Sequence, residues 1–227
     1  MKKTNLLLLL IFQIFFYQIS FGQEDELFGE SESLIEQKKY VKAIEKLDKV
    51  IEINPNFVGA FVNRGVSNTA LKKYKLAIHD FKTAIHLDSL NTLSFFYIAN
   101  NYRILKDVRS AIFYYDNAEK SAQHSSLNQP TTLNLKRTFL NGASPFQVSL
   151  YQIRYHRGLA FYDLKNFKSA LKDFISIDDE KKSRDSKFML ASSLLKLERK
   201  KEACAELENA VDLGSEEAIE VIKVHCY

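Results

Sequence analysis

The stretch from Val58 to Asn91, VGAFVNRGVSNTALKKYKLAIHDFKTAIHLDSLN, decides the fold. Phe61, Gly65 and Asn68 fall at steps of four and three, and so do Ala77, Phe81 and Ala84. Steps of three and four are the signature of one helix face. Lys72-Lys73 lies between the two stripes, where the chain must turn. The stretch therefore predicts two helices with facing apolar stripes. A small residue in the first helix lets the second approach, and a bulky one on the second fills the remaining space.

The same columns recur on either side. Ser31, Gly65 and Ala99 are 34 residues apart, as are Ala43, Ala77 and Ala111. Leu47, Phe81 and Tyr115 keep that step, and so do Val50, Ala84 and Ala118. The columns resume at Gly158, Ala170, Phe174 and Ile177, then at Ala191, Ala203, Leu207 and Ala210. Ala111 to Ala170 is 59 residues, or 34 + 25, and Ala170 to Ala203 is 33. Five units with one 25-residue insertion follow. A period of this size belongs to units that bury their faces only by stacking on neighbours.

These residues resemble the tetratricopeptide repeat, whose signature is an aromatic, Leu-Gly, Tyr, then Ala, Phe, Ala and Pro. The first unit has Leu27, Ser31, Leu34, Ala43, Leu47, Val50 and Pro55 in those columns, and the third has Phe95, Ala99, Tyr102, Ala111, Tyr115 and Ala118. Arg154 stands where the family prefers an aromatic. The resemblance implies an all-α, right-handed α-solenoid of about five helix-turn-helix repeats. After Gly214, the sequence Ser215-Glu216-Glu217 followed by Ala218, Ile219 and Ile222 predicts one more helix, which would close the stack as a cap. The expected organisation is a leader over 1–22, repeats over 23–125, an insertion over 126–150, repeats over 151–213 and a cap over 214–227.

Met1 to Gln23 reads MKKTNLLLLLIFQIFFYQISFGQ. Two lysines, an apolar run and small residues at Ser20 and Gly22 give the three-part order of a secretory signal peptide, cut after Gly22. A retained membrane anchor is the alternative, but Leu6 to Phe21 is interrupted by Gln13 and Gln18 and is short for a span of about 20 residues. No later run is long enough to span. Export to the periplasm or the extracellular space is expected.

Composition narrows the function. The chain has 227 residues, 32 Lys+Arg against 28 Asp+Glu, and no strongly basic block, which argues against nucleic acid as a partner. Three prolines and seven glycines are few for a sandwich or barrel. His79 and His86 lie seven apart on one helix, about 10 Å along its axis, too far to share a metal. No paired CxxC, His-Glu-x-x-His, phosphate loop or nucleophile elbow occurs. Asp178-Asp179-Glu180 reads as a solvated acidic turn. No enzyme activity, cofactor or metal is expected.

A binding surface remains. The family's first helices line a concave groove that takes peptides or partner helices. The resemblance places Phe28, Val62, Phe96, Tyr155 and Phe188 in one inner row, Asn63, Tyr97, His156 and Met189 in the next, and Asn100 and Tyr162 deeper. Such rings could hold extended segments by area and edge contacts, or could instead pack between repeats. The family's clamp for acidic chaperone tails needs flanking basic residues. Only Asn63 matches it, so that activity is not expected. The reading is a scaffold for other proteins or peptides. A periplasmic chaperone-like factor and a regulatory subunit of an envelope complex are the alternatives. The insertion, with Pro130, Asn141-Gly142 and Pro145 and a possible short helix over Thr131 to Leu140, is either a solvent-side excursion or part of the binding role.

The two cysteines, Cys204 and Cys226, should form a disulfide. Cys204 shares a stripe with Leu207 and Val211, and Cys226 one with Ile219 and Ile222. They lie ten residues before and twelve after the pivot Gly214, so two antiparallel helices would bring them level to about 3 Å. An oxidising compartment favours the bond, and two free thiols are the alternative.

Overall fold

The computed structural model describes residues 22–127, 148–177 and 183–227. Eleven α-helices and no strand occur among the described residues. They form two compact units, one over 22–89 and one comprising the described residues from 90 onward. The first unit holds α1 (22–36), α2 (Tyr40–Ile53), α3 (Val58–Ala70) and α4 (Tyr74–Leu87). The second holds α5 (Thr92–Ile104), α6 (Val108–Leu127), α7 (Leu150–Asp163), α8 (Phe167–Ile175), α9 (Arg184–Lys196), α10 (Lys200–Asp212) and α11 (Glu216–His225). Residues 1–21 of the expected leader, the expected helix over Thr131 to Leu140 and the acidic turn Asp178-Asp179-Glu180 lie outside the described residues. None of the described helices is long and apolar enough to cross a membrane.

Each pair of helices is closed by the same turn. Lys38, Lys72, Lys106, Lys165 and Glu198 have φ of 58°, 60°, 66°, 59° and 61°, the left-handed region. Their steps of 34, 34, 59 and 33 repeat those of the sequence columns. At each, two backbone bonds cap the first helix of the pair. Lys73 N–H donates to Asn68 O at 2.8 Å and Lys72 N–H to Thr69 O at 2.9 Å, and the other four turns match. This is the Schellman arrangement, which satisfies carbonyls the helix end leaves free. Gly214, at φ 89°, closes α10 in the same way before α11.

Close approach within a pair explains the small-residue column. A Cβ on Gly65 would meet the Phe81 ring at 2.8 Å, and one on Gly158 would meet the Phe174 ring at 2.8 Å. Both rings are fully buried and have no room to retreat. Where the column holds Ser31 or Ala191, the residue sixteen later is the smaller Leu47 or Leu207. In these four units size is traded along the pair, as dense interiors require, whereas the third pairs Ala99 with Tyr115, both fully buried. In the second unit α6 packs against α7 across the insertion, and their cluster joins Ala111, Tyr115 and Ala118 to Ile153 and Ala160. α6 runs to Leu127, so helix reaches into the stretch read as insertion.

Cys204 and Cys226 are joined by a disulfide, with their Cα atoms 5.8 Å apart. It ties α11 to α10. α11 buries only Ala218 fully and otherwise rests Val221 and Ile222 on the cluster of Ala191, Leu207 and Ala210.

Candidate protein-binding face

In the second unit the first helices of successive pairs are α5, α7 and α9, and their starts are fixed by side-chain caps. Asn91 Oδ1 accepts from Ser94 N–H at 3.0 Å. Ser149 and Gln152 form a capping box on α7, and Ser183 Oγ accepts from Ser186 N–H at 3.3 Å. Such caps satisfy amides that the first turn leaves free.

On these helices the rings form a chain. Tyr97 meets Phe96 at 6.0 Å, Phe96 meets His156 at 5.2 Å and His156 meets Tyr155 at 5.5 Å, with planes inclined by 73°, 83° and 82°. Edge-to-face contact suits the ring quadrupole. Phe96 is the buried floor of this row, at 8% exposure, and belongs to the cluster around Tyr115. Tyr97, Tyr155 and His156 are half-buried. Tyr155 also touches Phe174 at 6.0 Å, so one side of it belongs to the core. Tyr162 is half-buried against Phe167 at 5.1 Å. Phe188 is half-buried beside Leu207 and Ala218. Asn100 accepts a hydrogen bond from the Tyr115 hydroxyl and lies behind the row.

Burial sets the protonation of this face. It pushes the Tyr97 and Tyr162 hydroxyls above their ordinary values, and it does the same to Tyr155, with Asp185 adding to the effect. His156 is held down to about 4 by burial, with the Arg103 charge adding to it, so it is neutral at pH 7. Its Nδ1 is buried with no hydrogen-bond partner among the described residues. Arg103 pairs with Asp163 at 2.9 Å, so the charge nearest His156 has a counter-ion.

The first unit contributes differently. Phe28 is 9% exposed and meets the Phe57 ring at 4.9 Å, with the planes inclined by 52°. Asn63 is 4% exposed and is hydrogen-bonded to the Glu32 carboxylate, which burial nevertheless holds above its ordinary pKa. Phe28 and Asn63 therefore spend most of their surface inside the unit. The structure brings Phe96, Tyr97, Asn100 and Tyr155 together, with Tyr162 and Phe188 further along the same helices.

Sequence reasoning missed two arginine clamps. Arg64 donates to Asp80 Oδ1 on α4 at 2.7 Å and to Asp48 Oδ1 on α2 at 2.6 Å. Arg157 donates to Asp173 on α8 at 2.7 Å and 2.8 Å, to Asp116 on α6 at 2.8 Å, and pairs with Glu119 at 2.7 Å. Each arginine precedes the column glycine, and each partner in its own pair precedes the column phenylalanine. Arg64 to Asp48 is 16 residues, and Arg157 to Asp116 is 41, or 16 + 25. The second clamp is the first with the insertion added. Burial opposes the charge on Arg157, but Asp173 and Glu119 overcome it and hold the guanidinium ionised. Among the described residues no group of three or more His, Cys, Asp and Glu is placed to hold a metal.

Residues 185–213, which span α9 and α10, match the tetratricopeptide repeat family model. Residues 185–213 thus form a tetratricopeptide repeat (TPR). Solved structures of the same architecture cover most of this chain. YrrB, described as a TPR protein with an unusual peptide-binding site, matches with a TM-score of 0.66 over 87% of this chain and 90% of its own, at 16% identity. PilF of Pseudomonas aeruginosa matches with a TM-score of 0.67 over 90% and 85%, at 16% identity. MamA of Desulfovibrio magneticus RS-1 matches with a TM-score of 0.66 over 84% and 95%, at 12% identity. At these identities the likeness is one of fold. No curated protein sequence matches the chain.

Proposed function

We propose that this TPR protein is a non-enzymatic scaffold acting outside the inner membrane, in the periplasm or beyond. It holds an extended peptide segment or a partner helix on the aromatic face of α5, α7 and α9. The observation that carries this reading is the row Tyr97, Phe96, His156 and Tyr155. Its rings are fixed by contact with one another, yet three of the four keep part of their surface open. Rigid rings with few rotatable bonds give contact area at low entropic cost. A neutral row asks for no fixed charge in the partner, which fits a segment bound through area and backbone rather than through one ion pair. Export is supported by the leader-like residues 1–22 and by the Cys204–Cys226 bond, which belongs in an oxidising compartment.

Site-specific photo-crosslinking in the native host tests the binding face. A crosslinking residue at Tyr97 or Tyr162 should trap a few defined proteins at fixed ratio. One at Phe113, which is 61% exposed on α6, should trap none of them. Equal trapping from both places would remove the groove reading, and many weak partners would favour the chaperone-like role. Mapping the N-terminus of the native protein tests export: a start at or near Gln23 is expected, and an intact Met1 would oppose it.

A further inference from the structure

Four of the five turns that close the helix pairs carry lysine where glycine is the natural choice. A side chain at positive φ costs energy that glycine does not pay. Lys38 and Lys72 nevertheless occupy that position in the first unit. α2 and α3 are packed neighbours joined by residues 54–57, so they run antiparallel. The start of α2 and the end of α3 thus lie at one end of the unit, and both turns sit there. Lys39 and Lys42 stand beside Lys38, and Lys73 and Lys75 beside Lys72, all exposed. Lys39 donates to Gln37 Oε1, and none of the six pairs with an acid among the described residues. Glu36 and Glu45 are the nearby acids. Val41 and Leu76, each 57% exposed, project from the first turns of α2 and α4 within this set, with Tyr40 and Tyr74 half-buried beside them. The opposite end of the unit has the other sign: Glu24, Asp25 and Glu26 open α1, and Glu52 and Asp88 close α2 and α4.

We infer that the Lys38–Lys42 and Lys72–Leu76 end of the first unit is a docking face for an anionic phospholipid surface. Lysines reach the headgroup phosphates while Val41 and Leu76 enter the boundary below them. Clusters of four to eight basic residues beside apolar side chains are what such surfaces bind. Exposed aliphatic side chains set between the lysines favour lipid over nucleic acid, which would leave Val41 and Leu76 idle. The charge separation along the unit orients it, with the acidic end turned away. This face is distinct from the aromatic face of the second unit, so the two readings stand or fall separately.

Co-sedimentation of the protein as isolated from its host, with vesicles of equal parts phosphatidylglycerol and phosphatidylcholine, tests this. Vesicles of phosphatidylcholine alone are the reference. Binding should be at least about tenfold stronger to the anionic vesicles and should fall steeply with salt. Lys38→Gly with Lys72→Gly removes two charges at positions where glycine is comfortable, so circular dichroism and melting should show an intact fold. Binding should drop by roughly fivefold for each lysine. Lys42→Gln with Lys75→Gln should act alike, and Val41→Ser with Leu76→Ser should weaken the part of the binding that survives salt. Comparing variants with parent on the same vesicles cancels any contribution from residues 1–22. Equal binding to both vesicle types, unchanged binding by both lysine pairs, or a larger loss on a duplex DNA oligonucleotide than on vesicles would overturn the inference.

Discussion

Gly65 faces a fully buried Phe81 ring with no space for a methyl group, and that contact sets how closely α3 and α4 approach. Gly65→Ala gains about 1 kcal/mol of helix propensity and loses about 1–3 kcal/mol to overpacking, so a net loss near 1 kcal/mol is expected. In the Phe81→Leu background the loss should vanish, because Leu leaves the space that Ala needs, as in the Ala191 and Leu207 pair. A urea-denaturation double-mutant cycle reads the coupling. At His156 the unfolded chain takes up a proton near pH 6.5 and the folded chain only near 4. Between those values the unfolded state binds more protons, so stability is complete above about 6.5 and falls as pH falls toward about 4. The difference corresponds to on the order of 3 kcal/mol. His156→Phe should flatten the fall in melting temperature over the upper part of that window, above the carboxylate range. An unchanged slope would mean His156 does not carry it.

At the scale of the element, α11 depends on its bond. One fully buried side chain is little to hold ten residues, and α11 packs mainly on α10, with Ala191 and Phe188 of α9 completing the contact. The disulfide joins residues 22 apart, which corresponds to roughly 3 kcal/mol of loop-closure stabilisation. Cys204→Ser should lower the melting temperature and raise hydrogen exchange over Glu216–His225 first. Uniform loss of protection across α9 and α10 would mean the bond supports the whole unit instead. The bond was legible in the sequence because only two cysteines exist and both sit on apolar stripes about one pivot. The turns were legible as turns, through Lys72-Lys73 between two stripes. Their left-handed lysines were not, because composition at such a position points to glycine and lysine points only to exposure.

For the whole molecule, the period of 34 carried the fold, since each unit repeats a contact that only stacking can satisfy. The arginine clamps escaped notice because their spacings of 16 and 41 acquire meaning only once the insertion is subtracted. The proposed binding face was half legible. α5 holds Phe95, Phe96 and Tyr97 in succession, so helical period alone does not say which ring faces the core. In the structure Phe96 faces inward, and Phe28 and Asn63 of the first unit are also enclosed, which leaves Tyr97, Tyr155, His156, Tyr162 and Phe188 as the ring side chains with surface to offer, beside Asn100. Tyr155 also supports Phe174, so Tyr155→Ala would disturb fold and binding together. Tyr97 is the cleaner probe. The decisive measurement is the dissociation constant of a crosslinked partner segment for the parent and for Tyr97→Ala, with the melting temperature of each. The account predicts at least about tenfold weaker binding, the loss of one aromatic anchor, with the melting temperature changed by only a few degrees. Unchanged affinity with a large fall in melting temperature would contradict it and would make the aromatic row a packing element.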